Sequence, residues 1–203
     1  MTIFGAVCIG VIGLQQGGQV TLPEAQREVP KVVGAPAEKL GTPPQKVRLD
    51  GQRVSFEQQK LAVRIPLGWQ RLAIVGQSAG LLASVAPLGT SGATLALSFS
   101  EDPGRSRLPD NLPSTIALAL EKRYPGFQQT AKQRLTLAGA DAWLLDGQLK
   151  QPGQSALVRN RQVYICHRGR IYVLTLTSKK EDFERLVPSL ERLLKSIEWL
   201  PSQ

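Results

Sequence analysis

Gly76-Gln77-Ser78-Ala79-Gly80 fits the pattern G-x-S-x-G, in which a sharp turn between a strand and a helix presents a serine hydroxyl for attack on a carbonyl. Leu72 to Val75 supplies an apolar run before it, and Asp110, Asp141 or Asp146 followed by His167 completes the chain order of an α/β-hydrolase triad. A small serine esterase using Ser78 is therefore one expectation. The template also needs a helix directly after the serine and a parallel sheet with crossover helices. Leu81 to Ala86 reads instead as a strand, and a Gly-rich hairpin loop is the simpler account of the pattern.

A second chemistry lies in charge. From Gly147 to Lys180 there is no Asp or Glu, while Lys150, Arg159, Arg161, Arg168, Arg170, Lys179 and Lys180 all occur. If Arg168-Gly169 is a two-residue turn, His167 stands opposite Arg170, and alternation along the strand puts Arg159 and Arg161 on that same face. Guanidinium groups so gathered hold phosphate, carboxylate or an acidic protein surface. Arg159, Arg161, His167, Arg168 and Arg170 are the candidate partner- or anion-binding residues. The alternative is a solvated strand end balanced by Glu181, Asp182 and Glu184 on the following helix.

The whole chain carries 25 Lys and Arg against 16 Asp and Glu, a formal charge of +9, which favours acidic partners and anionic surfaces. A nucleic-acid partner is not expected, because the sequence has no stacking ring pair of the RNA-recognition type, zinc finger or recognisable helix-turn-helix. One histidine and two distant cysteines, Cys8 and Cys166, cannot assemble a structural zinc site, so neither metal nor cofactor is expected. Cys166 reads as a small buried hydrophobe. Trp69, Trp143 and Trp199 read as core packing, with Trp69 alternatively a partner anchor.

Those residues must be positioned by a fold, and the 203 residues, 42% of them apolar, suffice for one domain with a tail. Residues 1–14 hold an apolar run from Ile3 to Leu14, too short to span a bilayer as a helix but of the length of a secretory core. No Lys or Arg precedes it and no A-x-A site follows it, and Val7 before Cys8 argues against lipidation. The expected location is extracytoplasmic, secreted or membrane-anchored through residues 1–14. The alternative is a cytoplasmic chain that begins with a short buried strand. Residues 15–46, with five prolines, read as an extended tether, and residues 47–203 as the folded domain.

Within that domain, strands are expected at Val47 to Leu49 and Arg53 to Phe56 around Asp50-Gly51, then at Lys60 to Ile65, Leu81 to Ala86 and Ala93 to Phe99. Pro113 opens a helix carrying Ile116, Ala119 and Leu120, which Pro125-Gly126 stops. Leu135-Leu137 turns at Ala138-Gly139 into Ala142 to Leu149, and a further turn at Pro152-Gly153 leads to the paired runs Leu157 to His167 and Arg170 to Thr177. Ser178 and Glu181 suggest a capping box for a last helix. Its stripe runs Phe183, Leu186, Val187, Leu190, Leu193, Leu194 and Ile197, and keeps phase across Pro188. The pattern predicts an α+β fold: a single antiparallel β-sheet with helices packed on it.

Several phrases resemble the PsbP-like and DcrB-like superfamily over roughly residues 56–200. They are Ala62-Val63-Arg64-Ile65-Pro66-Leu67-Gly68-Trp69, Tyr124-Pro125-Gly126-Phe127, Leu137-Ala138-Gly139-Ala140-Asp141-Ala142-Trp143, and the run Gly169 to Thr177 before the helix that ends at Trp199. The resemblance implies an α/β/α sandwich in proteins that are mostly exported or lipid-anchored and mostly not enzymes. Their roles range over photosystem accessory subunits, envelope lipoproteins, a nuclear-import factor that binds a GTPase, and chaperones for secreted toxins. A non-enzymatic envelope binding or accessory module is thus expected, with a chaperone-like adaptor for a secreted protein as a further alternative.

Overall fold

A computed structural model describes residues 51–73, 80–90, 92–150 and 157–201. The expected leader, the tether, residues 47–50, Ser78 and the turn at Pro152-Gly153 lie outside the described residues.

The elements in chain order are β1 (Arg53–Phe56), β2 (Leu61–Arg64), β3 (Trp69–Arg71), β4 (Leu81–Pro87), β5 (Thr94–Glu101), α1 (Leu112–Arg123), β6 (Gln128–Leu137), β7 (Ala140–Lys150), β8 (Leu157–His167), β9 (Arg170–Lys179), α2 (Lys180–Lys195) and β10 (Glu198–Trp199). The α+β class and the antiparallel pairing stand, but the expected single sheet is two. Seven strands form one sheet in the order β3-β4-β5-β9-β8-β7-β6, and β1-β2-β10 form another. The reason lies in β2. Both of its edges are taken, by β1 and by β10, and Leu61, Ala62 and Val63 are buried in succession, so both of its faces are covered. Pro66, which has no N–H to extend a ladder, then separates it from β3.

α2 and the small sheet cover one face of the large sheet. Phe183, Leu190 and Leu193 of α2 join Leu61 and Val63 of β2 over Val163, Ile165, Leu174 and Leu176 in one core. α1 covers part of the opposite face, where Leu112, Ile116 and Leu120 pack on Leu145, Tyr164 and Cys166. Pro113 stands in the first turn of α1 as expected, and Pro188 lies inside α2, which continues through it as one helix.

The expected capping box does not form. Ser178 belongs to β9, in register with Arg159. Strand parity turns its side chain into the core, where its hydroxyl donates to the Lys179 carbonyl at 3.0 Å. Glu198-Trp199, read as the helix end, is instead β10.

One packing contact ties α1 to the sheet through a missing side chain. The Phe127 ring, just beyond α1, occupies the space that a Cβ on Gly147 would need. Gly147→Ala should therefore displace Phe127 and cost about 1–3 kcal/mol, read as a fall in the urea midpoint, with Phe127→Ala in the same background recovering part of the loss.

Candidate functional site

The turn between β8 and β9 forms as its sequence requires. His167 pairs with Arg170, and Arg168 (φ 49°) and Gly169 (φ 71°) both adopt the left-handed conformation that a tight hairpin turn demands. The loop after β5 closes over this tip. Asp102 N–H donates to the Gly169 carbonyl at 2.8 Å, and a Cβ on Gly169 would stand 2.9 Å from Pro103 Cα.

Parity along β8 also holds, yet the five candidate residues do not form one cluster. Arg159, Arg161 and His167 share a face, but His167 lies six positions beyond Arg161 along the strand, roughly 20 Å away. Val163 and Ile165, both fully buried, lie between them. The structure brings His167, Arg168 and Arg170 together at the tip and leaves Arg159 and Arg161 at the far end.

At that far end both guanidiniums are already engaged. Arg161 makes a two-pronged pair with Asp146, both contacts at 2.7 Å, and its side chain and that of Asp146 are only 18% and 8% exposed. These hydrogen bonds hold the Arg161 pKa above its ordinary value despite burial. Arg159 bonds Glu184 at 2.5 Å and lies 4.3 Å over the Phe183 ring, a cation–π contact that fixes α2 to the hairpin. The balancing role foreseen for the acids of α2 is filled by Glu184.

At the tip, His167 stacks on Trp199 with ring centroids 4.1 Å apart and planes 9° off parallel. Trp199 Nε1 donates to the Ala138 carbonyl at 2.8 Å, so β10 is clamped between the β6–β7 and β8–β9 turns. Arg170 stands 3.9 Å from Glu101, and Arg168 is exposed.

Burial first, then the charges of Arg168 and Arg170, lower the His167 pKa below its ordinary value. Above about pH 6.5 the ring is neutral folded or unfolded, and the full stability is present. As pH falls through and below that value the unfolded chain takes up a proton the fold resists, and stability is lost. His167→Phe, which keeps the stack, should reduce the drop in melting temperature between pH 7.5 and pH 5.5.

Ser78 lies outside the described residues, and none of the three candidate acids pairs with His167. β4, not a helix, begins directly after Gly80, and all three candidate acids are spent elsewhere. Asp146 serves Arg161, while Asp110 and Asp141 both pair with Arg134. Arg134 also donates to the Leu108 carbonyl at 2.9 Å, and Asp141 accepts from Leu108 N–H at 2.7 Å, so this network staples the loop before α1 to the β6–β7 hairpin. Burial opposes the ionisation of Asp141, but the bonds from Arg134 and Leu108 prevail and hold its pKa below the ordinary carboxylate value. Sequence reasoning did not foresee this staple, although Arg134 and Asp141 flank the Ala138-Gly139 turn at a separation that places them on neighbouring strands. Cys166 is buried, donates to the Arg105 carbonyl at 3.6 Å, and has its thiol pKa raised first of all by burial, as befits a packing residue. No group of three or more His, Cys, Asp or Glu among the described residues could hold a metal ion, and no helix among them is long and apolar enough to cross a membrane.

The family described as "Probable lipoprotein LpqN" matches residues 115–198, the stretch from α1 to β10. No curated protein matches the chain. Among solved structures, cyanobacterial PsbP (CyanoP) from Synechocystis sp. PCC 6803 is similar with a TM-score of 0.60 at 15% identity, covering 79% of this chain and 98% of that one. A variant of the protein Mog1 is similar with a TM-score of 0.53 at 10% identity, covering 75% of this chain and 97% of its own. LpqN of Mycobacterium tuberculosis, described as involved in cell envelope biogenesis, aligns over 70% of this chain and 83% of its own at 20% identity, with a TM-score of 0.48. The chain shares the fold of cyanobacterial PsbP.

Proposed function

We propose that this chain is a non-enzymatic accessory module of the cell envelope that sits outside the cytoplasm and works by binding a protein partner or an anionic surface. One observation carries the reading. The described groups with chemical potential are consumed in holding the fold together: Asp146 by Arg161, Asp110 and Asp141 by Arg134, His167 by Trp199. Among the described residues, Arg168 at the hairpin tip and Lys150, Lys179 and Lys180 at the opposite end of the sheet have no carboxylate partner. The lipoprotein description of the family matched over residues 115–198 supports the extracytoplasmic placement. In this reading residues 1–14 target or anchor the chain, residues 15–46 tether it, and the domain from residue 47 onward faces its partner.

Arg168→Asn keeps a residue that tolerates the left-handed turn, and Lys179→Glu/Lys180→Glu reverses charge at the other end, so neither should disturb the fold. The wild type should retain a saturable partner from envelope extract or bind phosphatidylglycerol vesicles, and one of the two variants should lose it with an unchanged circular dichroism spectrum. Equal retention by all three proteins, or labelling of the wild type but not Ser78→Ala by a fluorophosphonate probe, would overturn the proposal.

A further inference from the structure

The phrase Pro-Leu-Gly occurs twice, at Pro66-Leu67-Gly68 and Pro87-Leu88-Gly89. The fold sets the two copies side by side, with Leu88 N–H donating to the Gly68 carbonyl at 2.7 Å. In each copy the proline is buried and the glycine is left-handed, with φ 77° at Gly68 and 76° at Gly89, so the backbone is fixed on both sides of the leucine. Each leucine nevertheless points to solvent, Leu67 being 72% exposed and Leu88 45%.

Positive charge surrounds the pair. Arg64 and Arg71, both exposed, lie close to Leu67 on either side of it in the chain. The registers Val85↔Leu95 and Leu95↔Leu176, continued to the strand ends, bring Leu88, Gly92 and Lys179 into one row. Leu88 and Lys179 are then two strand spacings apart, roughly 10 Å, and alternation puts them on the same face of the sheet. Lys180 follows at the start of α2. Among the described residues no carboxylate pairs with any of these four cations. Of the acids at this end, Asp182 is taken by Arg185, which also reaches Thr90, and Glu181 is exposed.

A protein interface buries about 800 Å² on each side, which two leucines on separate turns do not fill. The interfacial layer of a bilayer closes around projecting apolar side chains and attracts the cations beside them. A second copy docked through this end would set the four cations against themselves. The chain also enters the domain here. Gly51 N–H donates to the Ile65 carbonyl at 3.1 Å, and a Cβ on Gly51 would stand 3.6 Å from Leu67 Cδ2. The residues before Gly51, with the apolar run Ile3 to Leu14, therefore join the domain beside Leu67.

We propose that the twin turns are a membrane-docking edge: Leu67 and Leu88 enter the interfacial layer of an anionic bilayer, and Arg64, Arg71, Lys179 and Lys180 lie against its headgroups. The proposal rests on the binding reading above and commits its anionic surface to lipid.

The full chain, with Leu methyl groups labelled with ¹³C, is titrated with nanodiscs of phosphatidylcholine and phosphatidylglycerol that carry a nitroxide near the top of the acyl chain. The methyl resonances of Leu67 and Leu88 should broaden, and those of Leu118, equally exposed on α1, should stay sharp. Residues 1–14 are the same in every variant, so differences between variants report the turns. The lipid concentration that half-broadens Leu88 should rise about tenfold or more in Leu67→Asn, and as much in Lys179→Glu/Lys180→Glu, with the circular dichroism spectrum unchanged. Broadening of Leu118 equal to that of Leu67 and Leu88, or no change in either variant, would overturn the docking edge. So would a protein from envelope extract that shifts these two methyls while nanodiscs leave them sharp. Partner retention lost in Arg168→Asn with both leucines sharp on nanodiscs would reject the edge and keep the binding module. Selective broadening of the leucines together with Ser78-dependent fluorophosphonate labelling would keep the edge and reject the non-enzymatic reading.

Discussion

Leu190→Asp should leave the domain unfolded at room temperature. Leu190 is fully buried at the centre of the α2 stripe, in the core formed with the large sheet and β2. The substitution removes a packed side chain, about 2–5 kcal/mol in itself, and places a carboxylate where the surrounding core residues are apolar, which costs several kcal/mol more. The sum approaches or exceeds the roughly 5–15 kcal/mol that holds a domain of this kind together. Leu190→Ala, which makes a cavity without a charge, should fold with a lower urea midpoint. Leu118→Asp makes the same chemical change at a residue 68% exposed on α1 and should stay within about 0.5 kcal/mol of the wild type. A folded Leu190→Asp protein with native circular dichroism would mean that α2 does not close the core.

The stripe on α2 was legible because seven apolar residues recur at helical spacing and nothing else satisfies them. The β8–β9 hairpin was legible because its runs are rich in β-branched and aromatic residues and a glycine marks its turn. β6 was read only at Leu135-Leu137, since an edge strand whose residues are mostly exposed or half-exposed carries no alternation to detect. β3 and β10 are three and two residues long, below the length at which a pattern exists. Strand parity placed Arg159, Arg161 and His167 on one face correctly. It says nothing of distance along the strand or of Asp146 and Glu184 arriving from β7 and α2, and that is why the five candidates looked like one site.

The basic hairpin, read from sequence as a surface for others, is in part an internal fastening, and Asp146→Ala tests this. With its carboxylate gone, the Arg161 guanidinium keeps its place beside Phe183 but loses both of its 2.7 Å bonds. Breaking a buried pair from one side costs about 3–5 kcal/mol. Arg161 retains some access to water and Glu184 and Glu191 lie close enough to act on its charge, so about 2–4 kcal/mol is expected, seen as a lower urea midpoint at unchanged slope. Removing both charges with Asp146→Leu/Arg161→Met should recover most of the loss, because an apolar pair of similar size needs no partner there. If Arg161 instead existed to hold an external anion, Asp146→Ala would free it at little cost in stability and strengthen vesicle or partner binding. The single substitution thus separates a fastening from a binding site, and the pair geometry favours the fastening.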